Sequence, residues 1–173
     1  MILRRLAIAA TLAVVATATA AIPGAADAAT LTGVQYVNDG SSKCLDVRSE
    51  DGSYTAGARV QQYRCKDDSG NQRWILVGAV NGFYNLVNTQ SRLCLDVTGA
   101  SQDDGAPTQQ WFCNGAANQL WAVHFDGHFY QIWSGNSRKC LDVRNGSHAD
   151  HAIVQQWECN GTAAQRWLAV AIS

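Results

Sequence analysis

The sequence predicts an all-β fold assembled from three copies of one four-stranded unit. Three recurring segments carry this expectation. Cys-Leu-Asp-Val occurs at Cys44–Val47, Cys94–Val97 and Cys140–Val143, with starts 50 and 46 residues apart. Each copy is followed by a Gln-Gln-aromatic-x-Cys segment: VQQYRC at 60–65, TQQWFC at 108–113 and VQQWEC at 154–159. A Gln-x-Trp signature closes each copy: NQRW at 71–74, NQLW at 118–121 and AQRW at 164–167. Self-similarity at a near-constant period marks a repeat architecture. No apolar pattern of helical period appears beyond the N-terminal segment.

The elements of one unit follow in order. Phe83 to Val87 and Phe129 to Trp133 are short, aromatic and β-branched, as strands require. Turn residues such as Ser134-Gly135-Asn136 come next, and Cys-Leu-Asp-Val resumes the strand. The Gln-Gln segments and the stretches that begin at the Gln-x-Trp tryptophans supply two more strands. Four strands per unit make about twelve. Asp51-Gly52-Ser53 and Asn145-Gly146-Ser147 read as loops. The units are expected at about 31–78, 79–125 and 126–173, which leaves no linker between them. Three copies without an atypical capping unit favour a closed ring over an open array, because closure removes sheet edges. A three-fold barrel with hairpins closing one end, the β-trefoil, meets this requirement.

Residues 1–28 have a different character. Arg4 and Arg5 precede an apolar run from Leu6 to Ala21, and Ala26-Asp27-Ala28 ends it with small residues. This is the pattern of a secretory signal peptide rather than a membrane anchor, so the domain proper is expected over 29–173. No later stretch is apolar enough to span a bilayer. Without the leader the chain carries eleven Lys and Arg against thirteen Asp and Glu, a net charge of −2. That balance gives no basic surface for nucleic acid. Nothing in the chain calls for a cofactor, and a secreted monomer is expected.

Export suits six cysteines, for which 15 pairings exist. The repeat selects one bridge per unit: Cys44–Cys65, Cys94–Cys113 and Cys140–Cys159. Loops of this length are each worth roughly 3 kcal/mol in the chain-entropy account. A metal site is disfavoured, because no close Cys-x-x-Cys pair is present.

Taken together, Gln-x-Trp closing each of three β-units and Cys-Leu-Asp-Val opening them resemble the ricin-B-type lectin family. That family includes plant toxin lectin chains and the xylan- or galactose-binding modules of bacterial polysaccharide-degrading enzymes. The resemblance spans nearly all of the chain after residue 28. It implies a β-trefoil that binds sugars in shallow pockets, one per lobe. It places the binding roles on the Asp of Cys-Leu-Asp-Val, on the aromatic before the second cysteine, and on the Asn-Gln before the closing Trp. These roles make chemical sense. The C–H face of a pyranose packs on an aromatic ring, and an ionised Asp accepts hydroxyl hydrogen bonds through both oxygens.

The first unit supplies Asp46, Tyr63, Asn71 and Gln72, with Gln61 at the rim. The second supplies Asp96, Trp111, Asn118 and Gln119, with Gln109 at the rim. The third offers Asp142, Trp157 and Gln165, with Gln155 at the rim, but Ala164 stands where Asn is expected. The third site is therefore expected to be weaker or empty. Trp111 is a larger platform than Tyr63, so the second site is expected to be strongest. The alternatives are structural: the Asp as a turn cap and Gln72, Gln119 and Gln165 as partners for buried backbone. Trp74, Trp121 and Trp167, set among apolar residues, are expected in the core.

Little suggests an enzyme. Glycoside hydrolysis needs two carboxylates roughly 5–10 Å apart, whereas the repeated acids fall one per unit. Asp67-Asp68 and Asp103-Asp104 lie in loops, and no Gly-x-Ser-x-Gly occurs. His148-Ala149-Asp150-His151 occurs in one unit only; it is the one distinctive loop for a metal or a protein partner. The rival reading is accordingly a protein-binding trefoil, such as a protease inhibitor. A further reading is the binding subunit of a separate polysaccharide-degrading enzyme.

Overall fold

The computed structural model describes residues 33–171. The expected leader lies outside the described residues. Twelve strands are present among them: β1 (Val34–Asn38), β2 (Cys44–Val47), β3 (Val60–Tyr63), β4 (Trp74–Gly78), β5 (Tyr84–Asn88), β6 (Cys94–Val97), β7 (Thr108–Trp111), β8 (Trp121–Phe125), β9 (Tyr130–Ser134), β10 (Cys140–Val143), β11 (Val154–Trp157) and β12 (Trp167–Ala171). Strands β1, β4, β5, β8, β9 and β12 pair in that order, and β12 returns to β1, which closes a six-stranded antiparallel barrel. Hairpins β2–β3, β6–β7 and β10–β11 branch from it where Cys44, Cys94 and Cys140 pair with β1, β5 and β9. Single bridges Arg59↔Gln109, Gln61↔Ile153 and Pro107↔Gln155 join the hairpins in a ring. This is a β-trefoil of three four-stranded units with pseudo-three-fold symmetry.

The core follows from period-2 alternation. In Cys-Leu-Asp-Val, the Leu and Val share one face and the Cys and Asp the other. Leu45, Leu95, Leu141, Val47, Val97 and Val143 are fully buried. Trp74, Trp121 and Trp167 join them with no exposed surface. Each indole Nε1 donates to the carbonyl of the leucine in its own unit, Leu45, Leu95 or Leu141, at 3.0–3.1 Å. A large ring and its one polar group are thus both satisfied inside. The three bridges form within units, Cys44–Cys65, Cys94–Cys113 and Cys140–Cys159.

The Gln-Gln pair also obeys alternation. Its second members, Gln62, Gln110 and Gln156, are fully buried on the face away from the Asp. Their Nε2 atoms donate to carbonyls of a loop in another unit: Ser147 and Ala149, Ser53 and Thr55, Ser101 and Asp103. Their Oε1 atoms accept from Ser41, Ser91 and Ser137. Each loop is thereby fastened beside the next unit in the ring. Gln110→Leu is expected to cost about 1–3 kcal/mol by stranding those buried carbonyls. A denaturant melt measures it.

Two details differ from the sequence expectation. The segments read as loops contain 3₁₀ turns, at Ser49–Asp51 and Arg144–Gly146. The residues before each closing Trp also form 3₁₀ turns, Gly70–Gln72, Ala117–Gln119 and Ala163–Gln165. Three residues bonded i to i+3 make too short a run for any periodicity to reveal.

Candidate functional site

Each unit brings its Asp, its first Gln and the Gln before the closing Trp together beside a hairpin, and the first two units add an Asn. Register does the first part, because Asp46, Asp96 and Asp142 lie opposite Gln61, Gln109 and Gln155 across the strand pairs. Gln61, Gln109 and Gln155 donate Nε2 to the Asp Oδ1 at 2.8–2.9 Å. The 3₁₀ turn does the second part. In the first two units Asn71 and Asn118 donate Nδ2 to the Asp Oδ2 at 2.9 and 2.8 Å, and also to the carbonyls of Val47 and Val97. Gln72 and Gln119 donate to the same Oδ2 at 2.9 and 3.0 Å.

This geometry redistributes the expected roles. Gln72, Gln119 and Gln165 are 0–1% exposed. Their Oε1 atoms accept the backbone N–H of Lys66, Asn114 and Asn160, and their Nε2 atoms donate to the carbonyls of Arg64, Phe112 and Glu158. They clasp the segment that carries the second cysteine and anchor the Asp from below, out of reach of a ligand. Asn71 and Asn118 also commit both Nδ2 hydrogens internally, which leaves no donor for a hydroxyl. An ionised carboxylate has about four lone-pair positions. Three are taken at Asp46 and Asp96, so acceptance through both oxygens is closed there and one position on Oδ1 remains.

The third unit differs as Ala164 dictates. Asp142 Oδ2 receives only Gln165 Nε2, at 3.2 Å, so two lone-pair positions remain. The missing side chain also leaves room. A hollow of about 470 Å³ opens there, walled by Asp142, Trp157, Ala163 and Ala164 together with Asn38 and Gly40 of the first unit. The first site has a smaller hollow of about 150 Å³.

The two kinds of tryptophan separate cleanly. Trp111 and Trp157 are 39% and 40% exposed, while Trp121 and Trp167 are at 0%. Tyr63 is half-buried. Beneath Trp111 and Trp157 run loops of the preceding unit, at Gly57 and Gly105. Both glycines have positive φ, and a Cβ on either would sit 3.5 and 3.7 Å from an indole carbon. The equivalent residue beside Tyr63 is His151, with φ +66°. Its ring lies 4.8 Å from the Tyr63 ring, and its Nδ1 lies 3.2 Å from Gln61 Oε1. The His148–His151 loop is therefore part of the first site's wall. Sequence reading took it for an independent feature, and the signal was available: His151 stands three residues before Val154, as Gly57 does before Val60 and Gly105 before Thr108.

Burial pushes the carboxyls of Asp46, Asp96 and Asp142 above the ordinary 3.8, and the amide donors oppose it only in part. The stability these groups contribute is full below the unfolded value and is lost as pH rises through the raised folded one. Hydroxyl acceptance runs the other way, because only the ionised form has every lone pair free. Ligand affinity is therefore expected to fall on acidification from a pH above that of an ordinary Asp. These three groups themselves oppose acid unfolding. Calorimetric titrations and melts at stepped pH check both signs.

Two family models match the chain. One, described as ricin-type beta-trefoil lectin domain-like, matches residues 28–111. The other, described as ricin-type beta-trefoil lectin domain, matches residues 82–171, just over half of the chain. The clotting factor G alpha subunit of Tachypleus tridentatus is 35% identical over 75 residues, which are 43% of this chain and 11% of that protein. The chain thus spans about a tenth of that curated relative. Among solved structures, the designed three-fold symmetric protein ThreeFoil has a TM-score of 0.75 and 38% identity, over 79% of this chain and 96% of its own. The exo-beta-1,3-galactanase 1,3Gal43A of Clostridium thermocellum has a TM-score of 0.76 and 36% identity, over 82% of this chain and 30% of its own.

Proposed function

The chain belongs to the ricin-type β-trefoil lectin domain family, and from that premise we propose that it is a secreted, non-catalytic lectin with one shallow sugar pocket per lobe. The observation that carries this reading is the threefold recurrence of an amide-anchored Asp beside a surface aromatic. A barrel core needs no carboxylate beside a partly exposed aromatic in every unit; a pyranose needs both an acceptor and a platform. The expected ligands are galactose-, xylose- or arabinose-type units of a polysaccharide or glycoconjugate. The kinship with part of a galactanase favours the first of these. Three disulfides support an extracellular location.

Each pocket is expected to bind at about 1 mM, about 4 kcal/mol. Pockets on one rigid body then hold a polysaccharide by avidity. A titration with galactose, lactose, xylose, arabinose and xylan, read by tryptophan fluorescence or calorimetry, tests the proposal. Saturable binding supports it, and silence across that set and a wide glycan array overturns it. The galactanase kinship also favours a second reading, a carbohydrate-targeting part that serves a separate polysaccharide-degrading enzyme. The protein-binding alternative has less support, because its candidate loop is tied down on the first unit by Gln62.

At the third site, Ala164→Asn is expected to restore the amide that anchors Asp142. Thermal stability should rise by about 1 kcal/mol, and sugar binding at that site should tighten. Unchanged affinity with raised stability would show that Asn serves the fold alone.

A further inference from the structure

We propose that the first site is specialised for acidic sugars, uronate residues whose carboxylate is held by Lys66. The platform is shared between Tyr63 and His151 of the third unit. The inference rests on the carbohydrate reading above and names the ligand class of one of its sites.

The three sites are equivalent in register, so their differences are informative. Beside the site aromatic stand Arg64 and Lys66 in the first unit, Phe112 and Asn114 in the second, and Glu158 and Asn160 in the third. Only the first site carries cations there. Arg64 and Lys43 share Asp150, at 3.3 and 2.7 Å, so each already has a carboxylate partner. Lys66 has no carboxylate within 4 Å among the described residues. It lines the first hollow together with Asp46, Glu50, Gln61, Tyr63 and His151. Of the acids there, Asp46 is the acceptor common to all three sites, and Glu50 lies 3.4 Å from Arg48 Nε. Lys66 is the cation in the hollow that makes no ion pair within 4 Å, although its field reaches Asp46 and favours that carboxylate.

Its position discriminates between ligands. Lys66 Nζ sits 4.8 Å from the centroid of the Tyr63 ring, within reach of its negative face. A neutral pyranose that stacks on Tyr63 displaces the ammonium and offers it only uncharged hydroxyl oxygens in exchange. A uronate presents a carboxylate at its ring edge, and the flexible lysine stem can follow it there. His151 explains how a smaller aromatic still serves. Gln61 gives its Nε2 to Asp46, so its Oε1 faces His151 Nδ1. That contact holds the imidazole beside Tyr63, and the two rings, tilted 54° apart, together replace one indole. In the third unit the corresponding glutamine oxygen is taken by Arg144 Nε instead, while Arg48 Nε in the first unit is left without a hydrogen bond. The first site is organised around His151.

The test uses the full chain carrying Trp111→Ala and Trp157→Ala, which removes the other two platforms, with methyl galacturonide and methyl galactoside as paired ligands. Calorimetry at fixed pH and about 50 mM salt is expected to show the galacturonide about five-fold tighter, and the gap should close near 0.5 M salt. Lys66→Asn, which installs the residue of the other units, should abolish the preference by weakening the galacturonide and, with the ammonium gone from the Tyr63 face, by tightening the galactoside slightly. His151→Gly should weaken both ligands alike. Equal or better binding of the galactoside, or a preference that survives Lys66→Asn, overturns the inference and leaves the lectin reading standing. Failure of the unsubstituted chain to bind any saccharide overturns the lectin reading, and this inference with it.

Discussion

Trp121→Ala is expected to cost about 3–5 kcal/mol, the usual range for an aromatic deleted from a core. Domains of this size have total stabilities of about 5–15 kcal/mol, so the variant should be largely unfolded or close to it. The ring has no exposed surface and packs with its counterparts Trp74 and Trp167 in a single core. Truncation also removes the Nε1–H that satisfies the buried carbonyl of Leu95. Trp111→Ala, ten residues earlier, should behave in the opposite way. The residue is 39% exposed and lies outside the core, so the melt should shift by only about 1–2 kcal/mol, while sugar binding at the second site is lost. Urea melts of both variants, with a glycan titration of the one that folds, separate the two roles. If both variants only unfold, the division between core and platform tryptophans fails.

Asp96→Asn is expected to cost binding and stability together. Three amide donors, from Gln109, Asn118 and Gln119, converge on the Asp96 carboxylate. A carboxylate accepts all three, whereas an amide places its own N–H₂ against at least one. Gln119 cannot rotate to compensate, because its Oε1 already accepts the N–H of Asn114. The expected loss of stability is about 1–3 kcal/mol, and affinity at the second site should drop at least about ten-fold. Asp96→Ala is the harsher test, since it strands all three donors. Calorimetry on the folded fraction, beside a melt, checks both effects. Intact affinity in Asp96→Asn would mean that the carboxylate is purely a structural hub and that the sugar contacts lie elsewhere.

Both expectations show where sequence reading stops. Two tryptophans ten residues apart are the same residue type, and their flanks separate them: Trp121 opens an apolar strand, and Trp111 ends a strand two residues before a cysteine. Burial follows from that local pattern. Asp96 is different. Spacing can bring Asp, Asn and Gln together in a list, but it cannot say which of them face a ligand. The structure uses Gln119 and the Nδ2 of Asn118 to hold the carboxylate, and their donors are consumed in doing so.

The chain's own letters were sufficient for the β-trefoil, the strand identities, the three cystine pairs and the separation of core from surface tryptophans. The physical reason is that each is a local property of one unit, repeated three times, so that alternation and near-constant spacing report it redundantly. The contacts between units were decided by the tertiary structure alone. Gln62, Gln110 and Gln156 fasten loops 85, 57 and 55 residues away, and the first site is completed by His151, 90 residues from Gln61. The pairings of Gln61 and Gln62 depend on ring closure, which brings the last unit against the first, and the others on how successive units dock. No period within a single unit encodes which loop will arrive beside which aromatic.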